Sequence, residues 1–247
     1  MAVVLFLIVG YRFLTQRIRR KANARQQQMQ MTNDFLELEQ KALRLQMNPH
    51  FIFNALNSIQ SLIGTGKETE ARYYLAKFSR LMRQILDNSR KVSITLEEEI
   101  NTLENYLLIE QFCSPSSFQY TITVDPNLEI DFIELPPMMI QPFVENAIKH
   151  GMKGKNVGEG KIDIRFQEED NTLICVITDN GIGRERAAEI NANSKETYHE
   201  SASMEVIKER LDILNKGIGK GSLEIIDLKD DQNRPQGTEV RLKLPLE

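Results

Sequence analysis

The sequence predicts an α+β chain in which helices come first and a sheet covered on one face follows. Apolar residues between Phe35 and Ile85 recur at alternating steps of three and four, which is typical of amphipathic helices. The second half contains strand-like runs at 118–124, 160–166, 172–178, 221–226 and 238–246, with helix candidates at 137–150, 184–191 and 204–216 between them. With 247 residues, 41% of them hydrophobic and 27% charged, the chain has the composition of an ordinary globular protein.

The N-terminus combines an apolar stretch with a basic one. The stretch "MAVVLFLIVGYRFL" would rise about 21 Å as a helix, against about 30 Å for a bilayer core. No acid precedes residue 34, and the basic residues that follow or border the apolar stretch are Arg12, Arg17, Arg19, Arg20, Lys21 and Arg25. This order indicates the cytoplasmic end of a membrane span. We interpret residues 1–25 as that span end with its basic juxtamembrane segment; a buried N-terminal helix is the alternative.

Residues 26–92 are predicted to form a helical hairpin. The first seam is Phe35, Leu38, Ala42, Leu45, Pro49, Ile52, Leu56, Ile59 and Ile63. The run "GTGKE" at 64–68 supplies a turn, and the second seam is Ala71, Tyr74, Phe78, Leu81 and Ile85. Two such hairpins would make a four-helix bundle, so we expect a homodimer.

The segment "NPHF" interrupts the first seam. The register continues through Pro49, which favours one long helix kinked at the proline, while a new helix capped by Asn48 is the alternative. His50 lies just outside the seam, and Asn54 and Asn57 share its face at i+4 and i+7. On spacing alone, a polar surface role for His50 stays open.

Residues 93–247 form the predicted α/β part. Thr95 and Glu98 make a capping box before a helix. Three later segments carry polar chemistry: "VENAIKHG" on a helix, "ITDNGIG" at the end of a strand, and "GT" at 237–238 opening the last strand. An aspartate at a strand end can accept a hydrogen bond from an adenine amino group. An asparagine and a lysine on a facing helix can hold Mg²⁺ and neutralise phosphates.

From about residue 36 to the C-terminus, the sequence resembles the LytS/YehU-type sensor histidine kinases. "LRLQMNPHFIFNALNSIQSLI" is similar to the phosphoacceptor segment of that family, "LEEEINTLENYLLIEQF" to its connecting helix and "LPPMMIQPFVENAIKHG" to its asparagine box. "DNGIG" and "GTEVRLKLP" resemble glycine boxes of the nucleotide-binding superfamily that includes gyrase and MutL. The resemblance implies a Bergerat-type α/β sandwich with a mixed sheet.

The resemblance also implies roles for individual residues. His50 would be phosphorylated by ATP, and Asn54 would hold water for dephosphorylation of a response regulator. The implied nucleotide contacts are Asn146 to Mg²⁺ on the ATP phosphates, Lys149 to phosphate, His150 lining the pocket, Asp179 to adenine, Gly181 and Gly183 around the base, and Gly237 with Thr238 behind Asp179. Residues 191–201 look like a mobile lid, in which His199 is a solvated residue. Glu145 is interpreted as a helix-surface ion pair.

The chain departs from the family pattern in two places. Relatives carry glycine where this chain has Ser203, and an arginine is expected soon after Gln111, where Phe112 and Cys113 stand. We expect Ser203 to weaken ATP binding by about 1 kcal/mol relative to glycine.

Two other functions compete with the kinase. An ATP hydrolase of the superfamily would need a glutamate four residues before Asn146, where this chain has Pro142. A non-catalytic scaffold would keep the fold for partner binding. The kinase interpretation implies a response regulator, of the LytTR type in this family, as partner. It also implies attachment to the inner (cytoplasmic) membrane through the N-terminus, with the catalytic part in the cytoplasm and no direct contact with nucleic acid.

Overall fold

A helical hairpin is the first long element of the computed structural model, which describes Arg12, Arg19 and residues 49–114, 118–152, 159–184, 186, 207–211 and 221–246. The hairpin consists of α1 (Pro49–Gly64) and α2 (Glu68–Asn88). The predicted turn at 64–68 is confirmed. The residues before Pro49 that would distinguish a kinked helix from a new one lie outside the described residues, as does nearly all of the predicted membrane-proximal segment.

The remaining elements follow in the predicted order. They are β1 (Ile94–Thr95), α3 (Leu96–Cys113), β2 (Phe118–Val124), β3 (Glu134–Leu135), α4 (Gln141–Asn146) with a π turn (Ala147–Gly151), β4 (Gly160–Glu169), β5 (Thr172–Asp179), β6 (Ser222–Lys229) and β7 (Pro235–Pro245). All five predicted strands are present, and the α+β class is confirmed. Residues 184, 186 and 207–211 are helical, within two of the predicted helix candidates.

The hairpin buries a face that differs from the predicted seam in α1. Ala71, Phe78, Leu81 and Ile85 of α2 are buried as expected, and in α1 the buried residues are Phe51, Ala55 and Ile59. Two predicted seam residues, Leu56 and Ile63, are 42% and 56% exposed. Within a single chain the predicted seam of α1 is therefore met in part: Ile59 is buried and Ile52 is half-buried, while Phe51 and Ala55, outside the seam, are buried as well.

Helix α3 connects the hairpin to the rest of the chain. Its N-terminus has the predicted capping box, in which Thr95 accepts the backbone N–H of Glu98 and the Glu98 side chain accepts the N–H of Thr95. Its buried residues lie on several sides of the helix: Leu96, Glu99, Ile100, Thr102, Leu103, Asn105, Tyr106, Leu107 and Ile109. A helix covered in this way lies between two packed layers rather than on a surface.

The main sheet has five strands in the order β2-β4-β5-β7-β6, with β2 parallel to β4 and the other pairs antiparallel. Ile162, Ile164 and Phe166 of β4 are buried, while the side chains between them are exposed or half-buried. This alternation is expected of a sheet covered on one face. The β4–β5 hairpin turns at Asp170 and Asn171, which both have positive φ, at 49° and 59°.

The predicted helix at 137–150 begins later and ends differently from the prediction. Met138 has a φ of 60°, so the chain turns there and α4 begins only at Gln141. The helix then widens into a π turn, a geometry that is frequent at functional sites. None of the helices among the described residues is long and apolar enough to cross a membrane.

Candidate functional site

The loop after β5 places a buried carboxylate at the end of the central strands. Asp179 is the last residue of β5, is only 6% exposed, and its Oδ1 accepts the backbone N–H of Gly181 at 2.8 Å. A carboxylate offers about four acceptor positions, so this bond leaves capacity for a further donor. An adenine amino group is a donor of the required kind.

Three glycines allow the backbone to pass very close to Asp179 and to itself. A Cβ on Gly181 would lie 2.3 Å from the backbone of Gly151, and one on Gly151 would lie 2.8 Å from Oδ1 of Asp179. A Cβ on Gly237, where φ is 132°, would lie 1.9 Å from the backbone oxygen of Asp179. Only glycine fits at these positions. We call Gly151, Asp179, Gly181 and Gly237 the glycine cradle.

The predicted partners of Asp179 on other elements lie beside the cradle. The backbone N–H of Ile182 donates to the carbonyl oxygen of Gly151 at 3.2 Å, which joins the loop after β5 to the π turn. Thr238 of β7 is directly opposite Asp179 in the antiparallel register. Gly183 has a φ of 77°, which a residue with a side chain rarely adopts. The structure thus brings the three sequence segments together.

Helix α4 and its π turn carry Asn146 and Lys149, the residues predicted to contact Mg²⁺ and phosphate. Asn146 is half-buried, and the Lys149 ammonium lies 3.8 Å from Oε2 of Glu145. The predicted ion pair of Glu145 is present, but its side chain is 17% exposed and so lies largely below the helix surface. Burial raises the pKa of its carboxyl, and the Lys149 charge opposes that rise. The backbone of His150 lies in the π turn, but its side chain lies outside the description that the structure gives. The same is true of the predicted lid with His199 and of Ser203.

His50 and Asn54 contact each other on α1. The Asn54 amide nitrogen lies 3.2 Å from Nδ1 of the exposed His50 ring, so the predicted shared face is present. The same amide nitrogen lies 3.5 Å from Nε2, so Asn54 can donate to whichever ring nitrogen lacks the proton. The pair is on the hairpin, whereas the cradle is at the end of the sheet.

The segment that departs from the family pattern is built into the fold. The Gln111 side-chain amide donates to the carbonyl oxygen of Phe118, and the Phe112 ring stacks on Tyr74 with centroids 3.8 Å apart. Cys113 lies within hydrogen-bond reach of Ser58, and burial raises the pKa of its thiol to about 11. These residues hold α3 between the hairpin and β2.

Sequence reasoning missed Glu99, which is 1% exposed. It accepts the backbone N–H groups of Met138 and Ile140, at 3.1 and 3.3 Å, and Arg210 is the nearest opposing charge. Burial raises the pKa of Glu99 to about 7. Glu99 thereby fixes the turn from which α4 begins. The available signal was its spacing, because it shares a helix face with Leu96 and Leu103.

Sequence reasoning also missed a polar group between α3 and α4. The Tyr106 hydroxyl donates to Oε1 of Glu110 at 2.8 Å and lies 3.4 Å from Oε1 of Glu145. Tyr106 is 1% exposed. We call Tyr106, Glu110, Glu145 and Lys149 the Tyr106 cluster.

Two family models match this chain. A histidine kinase model matches residues 38–118, and the model of histidine kinase-, DNA gyrase B- and HSP90-like ATPases matches residues 136–247. The first contains His50 and α3, and the second contains every residue of the glycine cradle.

Curated relatives agree with these models. The sensor protein LytS of Staphylococcus saprophyticus is 33% identical over 213 residues, which is 85% of this chain and 34% of that protein. LytS of Bacillus subtilis is 36% identical over 147 residues, which is 60% of this chain and 24% of that protein. The chain therefore spans about a third or less of the length of these relatives.

Among solved structures, the histidine kinase domain of a blue-light-activated histidine kinase from Erythrobacter litoralis has a TM-score of 0.44 at 14% identity. The match covers 85% of this chain and 96% of that domain. The two matched models, which follow each other along the chain, and the LytS proteins agree: the chain is similar to the sensor histidine kinases, among them the LytS sensor proteins.

Proposed function

We propose that this chain is an ATP-dependent histidine kinase of a two-component system. In this proposal His50 receives the γ-phosphoryl group of ATP and passes it to an aspartate of a response regulator. The observation that carries the proposal is the glycine cradle, which holds a buried aspartate against the backbone of three glycines. The ATPase model, which matches the residues of the cradle, and the histidine kinase model, which matches the segment with His50, support it independently.

The nucleotide contacts are proposed from the cradle outward. Asp179 would accept the adenine amino group, and Gly181 and Gly183 would let the base approach the backbone. Gly237 and Thr238, opposite Asp179 in the sheet, would close the rear of the base site. Bound ATP would supply the phosphoryl group. The site fits the adenine base because a buried carboxylate requires a hydrogen-bond donor, which the adenine amino group provides.

The phosphates would lie towards α4. Asn146 would coordinate Mg²⁺ on the ATP phosphates, since an amide oxygen suits this hard cation. Lys149 would leave Glu145 to contact phosphate, which a separation of 3.8 Å and 42% exposure make inexpensive. His150 and Ser203 would line the same side.

His50 has the properties that an acceptor of phosphate needs. It is exposed on α1, and a neutral imidazole near pH 7 has a nucleophilic nitrogen. The Asn54 amide contacts the ring and can orient it. We further propose that Asn54 positions water when the regulator is dephosphorylated.

The proposed partners follow from the family and from exposed apolar residues. Leu56, Ile63 and Leu75 of the hairpin are each more than two-fifths exposed, and a homodimer would bury them in a four-helix bundle. The regulator would be of the LytTR type. The basic N-terminal segment would attach the chain to the inner membrane, with the catalytic part in the cytoplasm.

Incubation with γ-labelled ATP and Mg²⁺ tests the proposal. We expect label that is lost in acid and kept in base, as phosphohistidine requires, and no label in His50→Gln. His199→Gln is the matched control and should keep the label. Acid-stable label, or label retained by His50→Gln, would contradict the assignment, and binding of ATP without any label would favour the scaffold function.

A further inference from the structure

The Tyr106 cluster places two carboxyl groups on either side of one hydroxyl. Tyr106 has a single proton to donate and gives it to Glu110 at 2.8 Å, while Glu145 lies at 3.4 Å on the opposite side. Lys149 pairs with Glu145 at 3.8 Å. Carboxyl groups shielded from water are costly unless they have partners or a function. None of the nucleotide contacts proposed above uses Glu110 or Tyr106.

The cluster lies next to the segment that carries His50. The ring of Phe51, the next residue in α1, is 5.2 Å from the Tyr106 ring, centroid to centroid. Glu110 is one helical turn beyond Tyr106 on the same side of α3. The charge of His50 accordingly acts on the carboxyl of Glu110 and lowers its pKa, as does that of Lys149. Through its hydrogen bond with Tyr106, which packs against Phe51, Glu110 lies on the side of α3 that contacts α1, the helix that carries His50.

We propose that Glu110 accepts the proton that the His50 imidazole releases when it is phosphorylated, and that Tyr106 holds Glu110 in place for this. The inference rests on the proposed function. In the step, the lone pair of one ring nitrogen forms a bond to the γ-phosphorus. The bond from that phosphorus to the bridging oxygen breaks, with its electrons remaining on ADP. The proton on the other ring nitrogen passes to Glu110, which leaves phosphohistidine with a neutral imidazole ring and an anionic phosphoryl group.

Glu110 suits this role better than Glu145 does. Glu145 is paired with Lys149 and sits on α4, beside the proposed Mg²⁺ ligand Asn146. Burial, with a contribution from Glu145, raises the pKa of Glu110 from its ordinary value. A base with a raised pKa accepts a proton near neutral pH more readily than an ordinary carboxylate does.

The titratable groups that face Glu110 come from three elements. They are Tyr106 and Cys113 on its own helix, His50 on α1, and Glu145 with Lys149 on α4 and its π turn. The hydrogen bond from Tyr106 lowers the pKa of Glu110, and the negative charge of Glu145 raises it. Because Tyr106 and Glu145 act on the pKa of Glu110 in opposite directions, their removal should shift the pH dependence of the rate in opposite directions. A merely structural role of Glu110 would not give such shifts.

The first measurement is the rate of autophosphorylation across pH in Glu110→Gln. At neutral pH we expect the rate to be reduced by about a hundredfold or less. The acid limb of the profile, in which the rate falls as pH decreases, should depend on one proton fewer than in the wild type. Mg-ATP affinity should be unchanged. Glu104→Gln, an exposed glutamate on the same helix, is the matched control and should keep the wild-type rate and profile. Glu110→Asp retains a carboxylate and should recover part of the rate.

The second measurement moves the acid limb without removing Glu110. Tyr106→Phe deletes the donor, so the pKa of Glu110 rises and the limb moves to higher pH. Glu145→Gln deletes the neighbouring negative charge, so the pKa of Glu110 falls and the limb moves to lower pH. Opposite displacements in the two variants support the assignment, because general loss of structure would not displace the limb in two directions.

The outcomes separate this inference from the proposed function. A wild-type chain that never forms phosphohistidine overturns both. A labelled wild type together with a Glu110→Gln variant of unchanged rate overturns only the role of Glu110. The same holds if Glu110→Gln is slow but keeps the full acid limb, or if Tyr106→Phe and Glu145→Gln leave the limb in place.

Discussion

The carboxyl of Glu99 receives the backbone N–H of Met138 at 3.1 Å, and so ties α3 to the turn that starts α4. Met138 is the residue with φ of 60°, a conformation that costs free energy and has to be held by its surroundings. Glu99 supplies that restraint, with a second bond from the N–H of Ile140. The position of the asparagine-bearing helix thus depends on one buried side chain.

Glu99 should make the free energy of unfolding depend on pH. Its pKa is about 7 in the folded chain against an ordinary 4.5, so the folded state binds the extra proton between these values. Below pH 4.5, protonated Glu99 therefore makes its full contribution to the free energy of unfolding. This contribution is lost as pH rises from 4.5 through 7, and the total loss is about 3 kcal/mol. Urea unfolding of Glu99→Gln at several pH values should show a smaller fall over this range.

Glu104→Gln is the control for this measurement, since it changes an exposed glutamate of α3 and should keep the wild-type slope. Glu110 and Glu145, whose pKa values are also raised, act in the same direction, so part of the slope should remain in Glu99→Gln. An unchanged slope in Glu99→Gln would contradict the assignment of the effect to this residue.

Gly181→Ala should abolish measurable binding of Mg-ATP. The added Cβ would lie 2.3 Å from the backbone of Gly151, so the loop after β5 and the π turn would have to separate. Calorimetric titration measures the loss. Gly64→Ala is the matched control, because nothing lies within 4 Å of a Cβ there and its affinity should be that of the wild type. Equal affinities in the two variants would mean that the cradle does not hold the nucleotide.

The stacked rings of Tyr74 and Phe112 should stabilise the contact between the hairpin and α3. Their centroids are 3.8 Å apart with an angle of 13° between the planes. A double-mutant cycle with Tyr74→Leu and Phe112→Leu should give a coupling free energy of about 0.5–1.5 kcal/mol. Urea unfolding of the four proteins measures it. Additive losses would show that the stacking contributes nothing beyond burial.

Asn54→Ala should slow dephosphorylation of the regulator while autophosphorylation of His50 continues. The amide lies 3.2 Å from the ring nitrogen and can orient water without titrating. Release of phosphate from a labelled regulator, mixed with each unphosphorylated kinase, measures the effect. Asn57→Ala, one turn further along the same helix, is the matched control. Equal release with Asn54→Ala and the wild type would remove the proposed role.

The sequence predicted elements better than it predicted burial. All five strands lie where alternation places them, and the capping box of Thr95 and Glu98 is present, because both patterns are local. The buried side of α1 was predicted only in part, with Ile59 buried as expected and Phe51 and Ala55 not expected, since heptad spacing does not say which neighbour covers a helix. Glu99 and Glu110 were missed for a related reason. A glutamate on a helix is ordinarily solvated, and only packing of α3 between two layers buries these two.

Helix α3 is attached unequally to its two neighbours. Towards the sheet, the attachment includes main-chain groups: the N–H of Leu96 donates to Ile133, that of Glu97 to Ile130, and Glu99 binds the N–H of Met138. Towards the hairpin, the hydrogen bonds that the described residues make are between side chains, such as Asn105 with Gln84 and Asn88 with Thr102.

Side-chain hydrogen bonds of this kind exchange for water at a net cost of only about 1 kcal/mol each. If the molecule opens, it should therefore part between α3 and the hairpin, and α3 should travel with the sheet. Opening along that plane would carry Glu110 away from α1 and leave the exposed His50 on the hairpin alone. One rearrangement would then end proton transfer and clear the approach for the regulator, so that the two half-reactions of the relay could not run at the same histidine at once.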